Sequence, residues 1–123
     1  MTPPQLNVYR HEHGAHGLVT LTGEIDSTTA PQVREALAEC LGEGVRSVDV
    51  DLTAVTFCDA GGLGAFLLAS RFATEAGRTL RLHHPPPNMA RIIEITGCGF
   101  LLPSSPAADA GSGRIPVAPG GAL

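Results

Sequence analysis

The sequence predicts an α/β fold with a mixed sheet of about four to five strands and helices mainly on one face of that sheet. Two patterns predict the elements: short segments alternate apolar and polar residues, and longer segments repeat apolar residues at helical spacing. The clearest strand, residues 46–52, alternates its apolar residues with Asp49 and Asp51. A strand covered on both faces would be apolar throughout, so we expect one face of the sheet to meet solvent.

The first part of the chain predicts a hairpin followed by a helix. Residues 6–10 and 17–23 alternate as strands do, and the polar segment 11–17 between them predicts a turn. Thr29 and Gln32 have the spacing of a capping box, which marks a helix start. That helix should bury a stripe of residues at helical spacing: Ala30, Val33, Leu37, Cys40 and Leu41.

The second part of the chain predicts two further helices separated by a strand. The apolar run 63–76 has helical spacing and is followed by Gly77, a natural helix end. Residues 79–84 alternate as a strand until a run of prolines stops them. A short helix closed by Gly97 should follow, and residues 100–102 are expected to add a last edge strand.

The composition changes sharply after residue 103. Residues 104–123 are dominated by Ala, Gly, Pro and Ser, and their charged residues are Asp109 and Arg114. Such a segment cannot bury enough apolar surface to offset the entropy lost on ordering. We therefore expect one domain over residues 1–103 and a disordered tail over residues 104–123.

Composition also argues against several function classes. The formal net charge is −4 and no basic cluster occurs, so nucleic acid is not an expected partner. No apolar run approaches the roughly 18 residues that span a bilayer, and nothing signals export. The three cysteines are odd in number and widely spaced, which favours a cytoplasmic protein with reduced thiols.

The chain is organised around residues 56–64, Thr-Phe-Cys-Asp-Ala-Gly-Gly-Leu-Gly, which lie between a predicted strand and a predicted helix. Gly61 and Gly62 permit a sharp turn and the close approach of another backbone. Asp59 stands where a carboxylate can cap free N–H groups of the helix. The stretch therefore predicts an exposed strand-to-helix turn.

This stretch resembles the signature of STAS domains, and specifically of bacterial anti-sigma factor antagonists. That family typically carries Asp-Ser-Ser-Gly-Leu-Gly at the start of its second helix, where this chain has Asp-Ala-Gly-Gly-Leu-Gly at residues 59–64. A Gly-Glu-Ile-Asp turn at residues 23–26 and a last helix ending in Thr-Gly at residues 96–97 match in the same order. The resemblance spans about residues 6–102 and implies a STAS-like fold.

The resemblance also implies a function. Such a domain would dock on an anti-sigma factor of the serine-kinase-like, ATP-binding fold, release a sigma factor and so regulate transcription by partner switching. The residues that the resemblance implies for partner binding surround the signature: Asp26, Thr28, Asp59, Ala60, Gly61, Gly62 and Leu63.

Ala60 departs from the family pattern. In the family the first serine after the aspartate is phosphorylated by the partner kinase, whereas Ala60 has no hydroxyl. We therefore expect no phosphorylation at Ala60 and a protein that stays competent to bind, or that is regulated in another way. The nearby hydroxyls that could accept a phosphate instead are those of Ser27, Thr28, Thr29 and Thr56. Capping and strand-end roles are the favoured interpretation for all four.

A redox switch is a second hypothesis for regulation. Cys58 adjoins the signature and Cys98 follows the last helix, and thiolates near helix N-termini are activated. The favoured alternative places Cys58 in the core at the end of its strand and packs Cys40 on the apolar stripe of the first helix. Three histidines at residues 11–16 are likewise interpreted as part of a solvated turn, because a metal site needs three or four convergent ligands.

The resemblance leaves a second function class open. STAS-like domains also occur as non-enzymatic subunits of transporter-associated and stress-sensing complexes, where the same surface would be a permanent contact. An enzyme is not expected, and neither is a cofactor. The glycine-rich stretch lacks the Gly-Lys-Ser/Thr ending of a P-loop, and no nucleophile–base arrangement is evident.

Overall fold

A mixed sheet lies at the centre of the computed structural model, which describes residues 6–42 and 44–103. The predicted tail, residues 104–123, lies outside the described residues. Strands and helices follow one another along the chain, and a short 3-10 helix ends the described part: β1 (Leu6–His13), β2 (His16–Ile25), α1 (Ala30–Cys40), β3 (Ser47–Cys58), α2 (Ala60–Glu75), β4 (Thr79–His83), α3 (Pro87–Thr96) and the 3-10 helix (Gly99–Leu101).

The sheet has four strands in the order β1-β2-β3-β4. β1 is antiparallel to β2, whereas β2, β3 and β4 are parallel to one another. The three helices cover one face, and the core lies between them and the apolar side chains of the strands. The prediction of a mixed sheet with helices mainly on one face is therefore confirmed.

The β1–β2 hairpin turns more tightly than predicted. β1 continues to His13 and β2 begins at His16, so the turn occupies only residues 14–15. Gly14 adopts a φ of 63°, which suits a tight hairpin turn. The prediction of a turn across residues 11–17 was wrong because polar side chains on an edge strand resemble a loop in the sequence.

The start of α1 is not a capping box. The Thr29 hydroxyl accepts from the Asp26 backbone N–H at 2.9 Å and donates to the Glu24 carbonyl at 3.1 Å. The side chain of Gln32 instead donates to the Leu6 carbonyl at 3.2 Å. The predicted apolar stripe is confirmed, since all five of its residues are buried.

β3 is the element that the sequence underestimated most. It runs to Cys58 instead of ending near residue 52, and α2 begins at Ala60. Gly61 and Gly62 therefore lie in the first turn of α2 and not in a separate turn. Similarly, residues 23–25 of the predicted Gly-Glu-Ile-Asp turn belong to the end of β2.

The last predicted strand is a 3-10 helix. α3 ends at Thr96, and Gly97 caps it with a φ of 75°, as predicted. Residues 99–101 then turn back and bury Leu101 in the core instead of pairing with β4.

Among residues 6–42 and 44–103, no helix is both long and apolar enough to cross a bilayer.

Candidate partner-binding surface

Two turns meet at the carboxyl ends of β2 and β3. Because these strands are neighbours and parallel, the turn after Ile25 lies beside the turn after Cys58. The Asp59 backbone N–H donates to the Ile25 carbonyl at 3.1 Å. A Cβ placed on Gly61 would stand 3.7 Å from the Ser27 Cα. The fold thus brings together the two segments that the sequence singled out.

The first turn is organised by the carboxylate of Asp26. One carboxylate oxygen accepts from the backbone N–H groups of Thr28 at 2.9 Å and Thr29 at 3.1 Å, and also from the Thr28 hydroxyl. The Thr28 hydroxyl above all, together with these backbone N–H groups, holds the pKa of Asp26 below its ordinary value. Asp26 is therefore a fixed negative charge at neutral pH.

The second turn is organised by Asp59, the N-cap of α2. Its carboxylate accepts from the Gly62 backbone N–H at 2.9 Å, which is the capping contact predicted from the sequence. The backbone of Asp59 is extended, so the chain passes from strand to helix within one residue. Ala60 and Gly61 follow with exposed positions on the first turn of the helix.

Gly62 and Leu63 face the interior. A Cβ on Gly62 would lie 2.6 Å from the Ile25 Cγ2, 2.9 Å from the Cys58 sulfur and 3.1 Å from the Ile25 carbonyl oxygen. Leu63 is only 3% exposed. The close backbone approach predicted at these glycines is therefore made by β2 of the same chain. The expectation that the Leu63 side chain supplies surface for a partner is corrected by its place in the core.

The accessible part of the predicted site is small and acidic. We call it the Asp26–Asp59 surface and define it by those of the predicted partner-binding residues that are partly or fully exposed: Asp26, Thr28, Asp59, Ala60 and Gly61. It combines two carboxylates with side chains too small to obstruct an approaching backbone.

The structure argues against an accessible redox switch. Cys58 is 0% exposed, and burial, together with the nearby charge of Asp59, raises the pKa of its thiol to about 12. Such a thiol stays protonated at neutral pH and is a poor nucleophile. Cys98 is also buried, and its sulfur accepts from the Thr96 hydroxyl at 3.2 Å. The burial of Cys58 and of Cys40 matches the alternative interpretation of core thiols.

Asn88 contributes to the site, although no pattern in the sequence indicated this. Its side-chain amide donates to the Cys58 carbonyl at 2.8 Å and accepts from the Cys58 N–H at 3.3 Å. This pair of contacts ties the start of α3 to the residue immediately before Asp59. The two residues are 30 positions apart, so no local pattern could have identified the contact.

The described residues offer no arrangement for metal chemistry, since no three His, Cys, Asp or Glu side chains among them are grouped to hold an ion.

A second surface feature is apolar. A groove of about 220 Å³ lies between α1 and α2 and is lined mainly by alanines and by the exposed side chains of Leu68 and Phe72.

The family model described as Mlab, STAS domain, matches residues 9–103. The chain belongs to the STAS domain family. The resemblance inferred from residues 59–64 is thereby confirmed, and the match covers nearly all described residues of the STAS domain.

The relatives of this STAS domain include named regulators. The anti-sigma-B factor antagonist of Listeria monocytogenes serovar 1/2a is 38% identical over 85 residues, which cover 68% of this chain and 74% of that protein. The anti-sigma-B factor antagonist of Staphylococcus epidermidis is 29% identical over 97 residues, covering 79% and 90%. A crystal structure of an anti-sigma factor antagonist from Mycobacterium paratuberculosis shares the fold with a TM-score of 0.68 at 23% identity, covering 89% and 93% of the two chains.

Proposed function

We propose that this STAS domain is an anti-sigma factor antagonist that docks on an anti-sigma factor of the serine-kinase-like, ATP-binding fold and releases a sigma factor. The names of its relatives support the antagonist role. The single observation that carries the proposal is the convergence of two carboxylate-capped turns around an exposed Ala60 and Gly61.

This geometry suits protein recognition for two physical reasons. The hydrogen bonds within each turn hold the backbone in one conformation before binding, so less entropy is lost when the partner docks. The two carboxylates place negative charge at the rim, which favours a partner surface rich in arginine or lysine and speeds the encounter. Ala60 and Gly61 leave the partner free to approach the backbone of α2.

The absence of a hydroxyl at Ala60 fixes how this surface responds to a kinase. A phosphate at residue 60 would add about −1.5 to −2 charges beside Asp59. Like charges brought into contact across an interface cost several kcal/mol. Ala60 cannot receive that group. We propose that the domain stays competent to bind while its partner kinase is active.

Among the hydroxyls that could substitute, Ser27 is the best placed. Thr29 is buried, and the hydroxyls of Thr28 and Thr56 already donate to Asp26 and to the Gly23 carbonyl. Ser27 is exposed and lies beside Gly61. Incubation with the partner kinase and labelled ATP should leave the peptide containing Ala60 unlabelled. Any label on the domain is expected at Ser27 and should disappear in Ser27→Ala.

The function is tested by reconstitution. The tagged full chain is added to a complex of a candidate anti-sigma factor with its sigma factor, and the released sigma factor is measured. We expect release by the wild type and by Ala60→Ser, and weaker release by Ala60→Asp because it adds a negative charge beside Asp59. A chain shortened to residues 1–103 should release as much as the full chain, because we propose that these residues form the functional domain. No release by the wild type from any candidate complex would contradict the proposal.

One feature favours a second candidate function. The apolar groove between α1 and α2 exposes 58% of Leu68 and 56% of Phe72. Permanent interfaces are more apolar than transient ones. A STAS subunit of a transporter-associated or stress-sensing complex would bury this groove and would need no phosphorylated serine. Recovery of a transport ATPase from the tagged chain, with no kinase-like protein, would favour this second function.

A further inference from the structure

All five histidines of the chain lie on the sheet face that the helices leave open. β1 shows how the faces divide. Arg10 faces α1 and pairs with Glu39 at 3.6 Å, so His11 and His13 alternate to the opposite face. There His13 stands directly across from His16 of β2.

His83 and His84 reach the same face from the end of β4. They line a shallow depression together with His16 and two carboxylates of β3, Asp49 and Asp51. The sequence presented the histidines as two separate clusters about seventy residues apart, and only the strand order brings them together.

Asp49 is the centre of this arrangement. One of its carboxylate oxygens lies 3.0 Å from the His16 Nε2, and the other lies 2.7 Å from the His83 Nε2. The Nδ1 of His16 is also 2.8 Å from the Ser47 hydroxyl. The three residues of the bridge stand on β2, β3 and β4, so a single carboxylate connects the three parallel strands.

The remaining charges on this face come from β2, β3 and β4. The Thr53 hydroxyl, helped by its backbone N–H and by His84 and His83, holds the pKa of Asp51 below its ordinary value, so Asp51 stays ionised. Arg81 lies across from Asp49. Glu24 alternates to the same face near the carboxyl end of β2. With neutral imidazoles, these three carboxylates and this guanidinium give the face a net charge of −2, and protonation of all five histidines would bring it to +3.

We propose that the open face is a proton-sensitive element in which Asp49 is the counter-charge for His16 and His83. Histidine changes its charge between about pH 5 and pH 8. At acid pH the two imidazolium groups repel the other histidines of the face, and Asp49 offsets this repulsion through two charge-assisted hydrogen bonds. At alkaline pH the same contacts join a carboxylate to neutral rings. The contribution of the Asp49 charge to stability is therefore largest at acid pH and is lost as the pH rises.

The element lies away from the Asp26–Asp59 surface. His16 and Asp49 are near the amino ends of β2 and β3, whereas Asp26 and Asp59 follow the carboxyl ends of the same strands. The proposal does not depend on the identity of the partner, and its test uses stability alone.

The test is urea unfolding of the full chain at about pH 8 and about pH 5.5, on either side of the histidine range. Asp49→Asn keeps the shape of the side chain and removes its charge. We expect its loss in unfolding midpoint to be at least about twice as large at the lower pH. Glu39→Gln is the matched control, because it removes an ion pair whose partner, Arg10, does not titrate in this range. Its loss should be equal at both pH values.

An equal loss for Asp49→Asn at both pH values, or a larger one at about pH 8, would overturn the proposal. His83→Gln tests the same bridge if Asp49→Asn does not fold. Glutamine keeps a donor for Asp49 but never becomes charged, so this variant should lose more stability at about pH 5.5 than at about pH 8. Equal losses there would also overturn the proposal.

Discussion

We call residues 59–61 of the signature hexapeptide its exposed half and residues 62–63 its buried half, and Gly64, its last residue, is exposed again. Asp59, Ala60 and Gly61 stand at the surface, whereas Gly62 and Leu63, the next residues along α2, are buried against β2 and the core. The glycines illustrate the difference. A Cβ on Gly61 would make ordinary contacts, the nearest at 3.4 Å, whereas a Cβ on Gly62 would come within 2.6 Å of Ile25. The buried half of this motif secures the fold, and the exposed half is free to serve recognition.

The largest effect is expected from truncating the buried leucine. Leu63→Ala removes a side chain that is 3% exposed and leaves a cavity, which typically costs about 2–5 kcal/mol of unfolding free energy. Leu68→Ala is the control on the same helix, because Leu68 is 58% exposed and should cost about 0.5 kcal/mol or less. Chemical denaturation measures both. Similar losses for the two variants would show that burial does not distinguish these two leucines of α2.

A sharper test compares the adjacent glycines. Gly62→Ala forces Ile25 and Cys58 to shift, and overpacking of this kind costs about 1–3 kcal/mol. Gly61→Ala has room for its methyl group and should be neutral or should stabilise the helix by up to about 1 kcal/mol. Equal unfolding midpoints for the two variants would contradict the difference in packing space between Gly61 and Gly62.

Asp59 stands at the boundary between the two halves and should affect both stability and binding. Asp59→Ala loses the cap on the Gly62 N–H, at a cost of about 0.5–2 kcal/mol. Asp59→Asn keeps an acceptor at that position, so it should restore most of the stability. If the carboxylate also attracts the partner, Asp59→Asn will bind more weakly than the wild type despite its normal stability. Equal stability of Asp59→Ala and the wild type would contradict the capping role.

The smallest effect concerns the pH dependence of the Asp26 turn. The pKa of Asp26 is lowered from 3.8, so its hydrogen bonds stabilise the folded state above that value. This contribution is lost as the pH falls through the lower pKa of the folded state. The difference in unfolding midpoint between wild type and Asp26→Asn should therefore shrink on acidification below pH 3.8. A difference that stays constant across that range would show that the Asp26 charge is not held by the turn.

The sequence predicted regular elements well wherever hydrophobic periodicity was intact. The stripe of α1 and the alternation at Val48, Val50 and Leu52 follow the burial found in the structure. The second half of β3 was missed because its burial pattern loses the period of two after Leu52. The pairing of β2 with β3 shifts register there, between Thr20 and Thr22. A bulge of this kind breaks the alternation that identifies a strand.

The site was predicted only in part, because some of its contacts join residues that are far apart in the sequence. The cap at Asp59 and the nearness of Asp26 follow from the strand-to-helix pattern and from the family resemblance. The orientation of Gly62 and Leu63 does not, because glycine suggests a turn in the sequence while its packing against Ile25 is a tertiary contact. The Asn88 contact and the bridge from Asp49 to two histidines also depend on residues about thirty positions apart.

The most direct test of the account is a binding titration of the proposed anti-sigma factor with Gly61→Arg. The substitution adds a long side chain to the exposed half of the motif, where a Cβ makes only ordinary contacts, so the fold should be kept. Gly99→Arg is the control, because Gly99 lies in the 3-10 helix, outside the Asp26–Asp59 surface. A Cβ on Gly99 would meet nothing within 4 Å. We predict at least about a tenfold loss of affinity, roughly 1.4 kcal/mol, for Gly61→Arg and none for Gly99→Arg. Wild-type affinity of a folded Gly61→Arg would contradict the central claim that the exposed half of the motif is the docking surface.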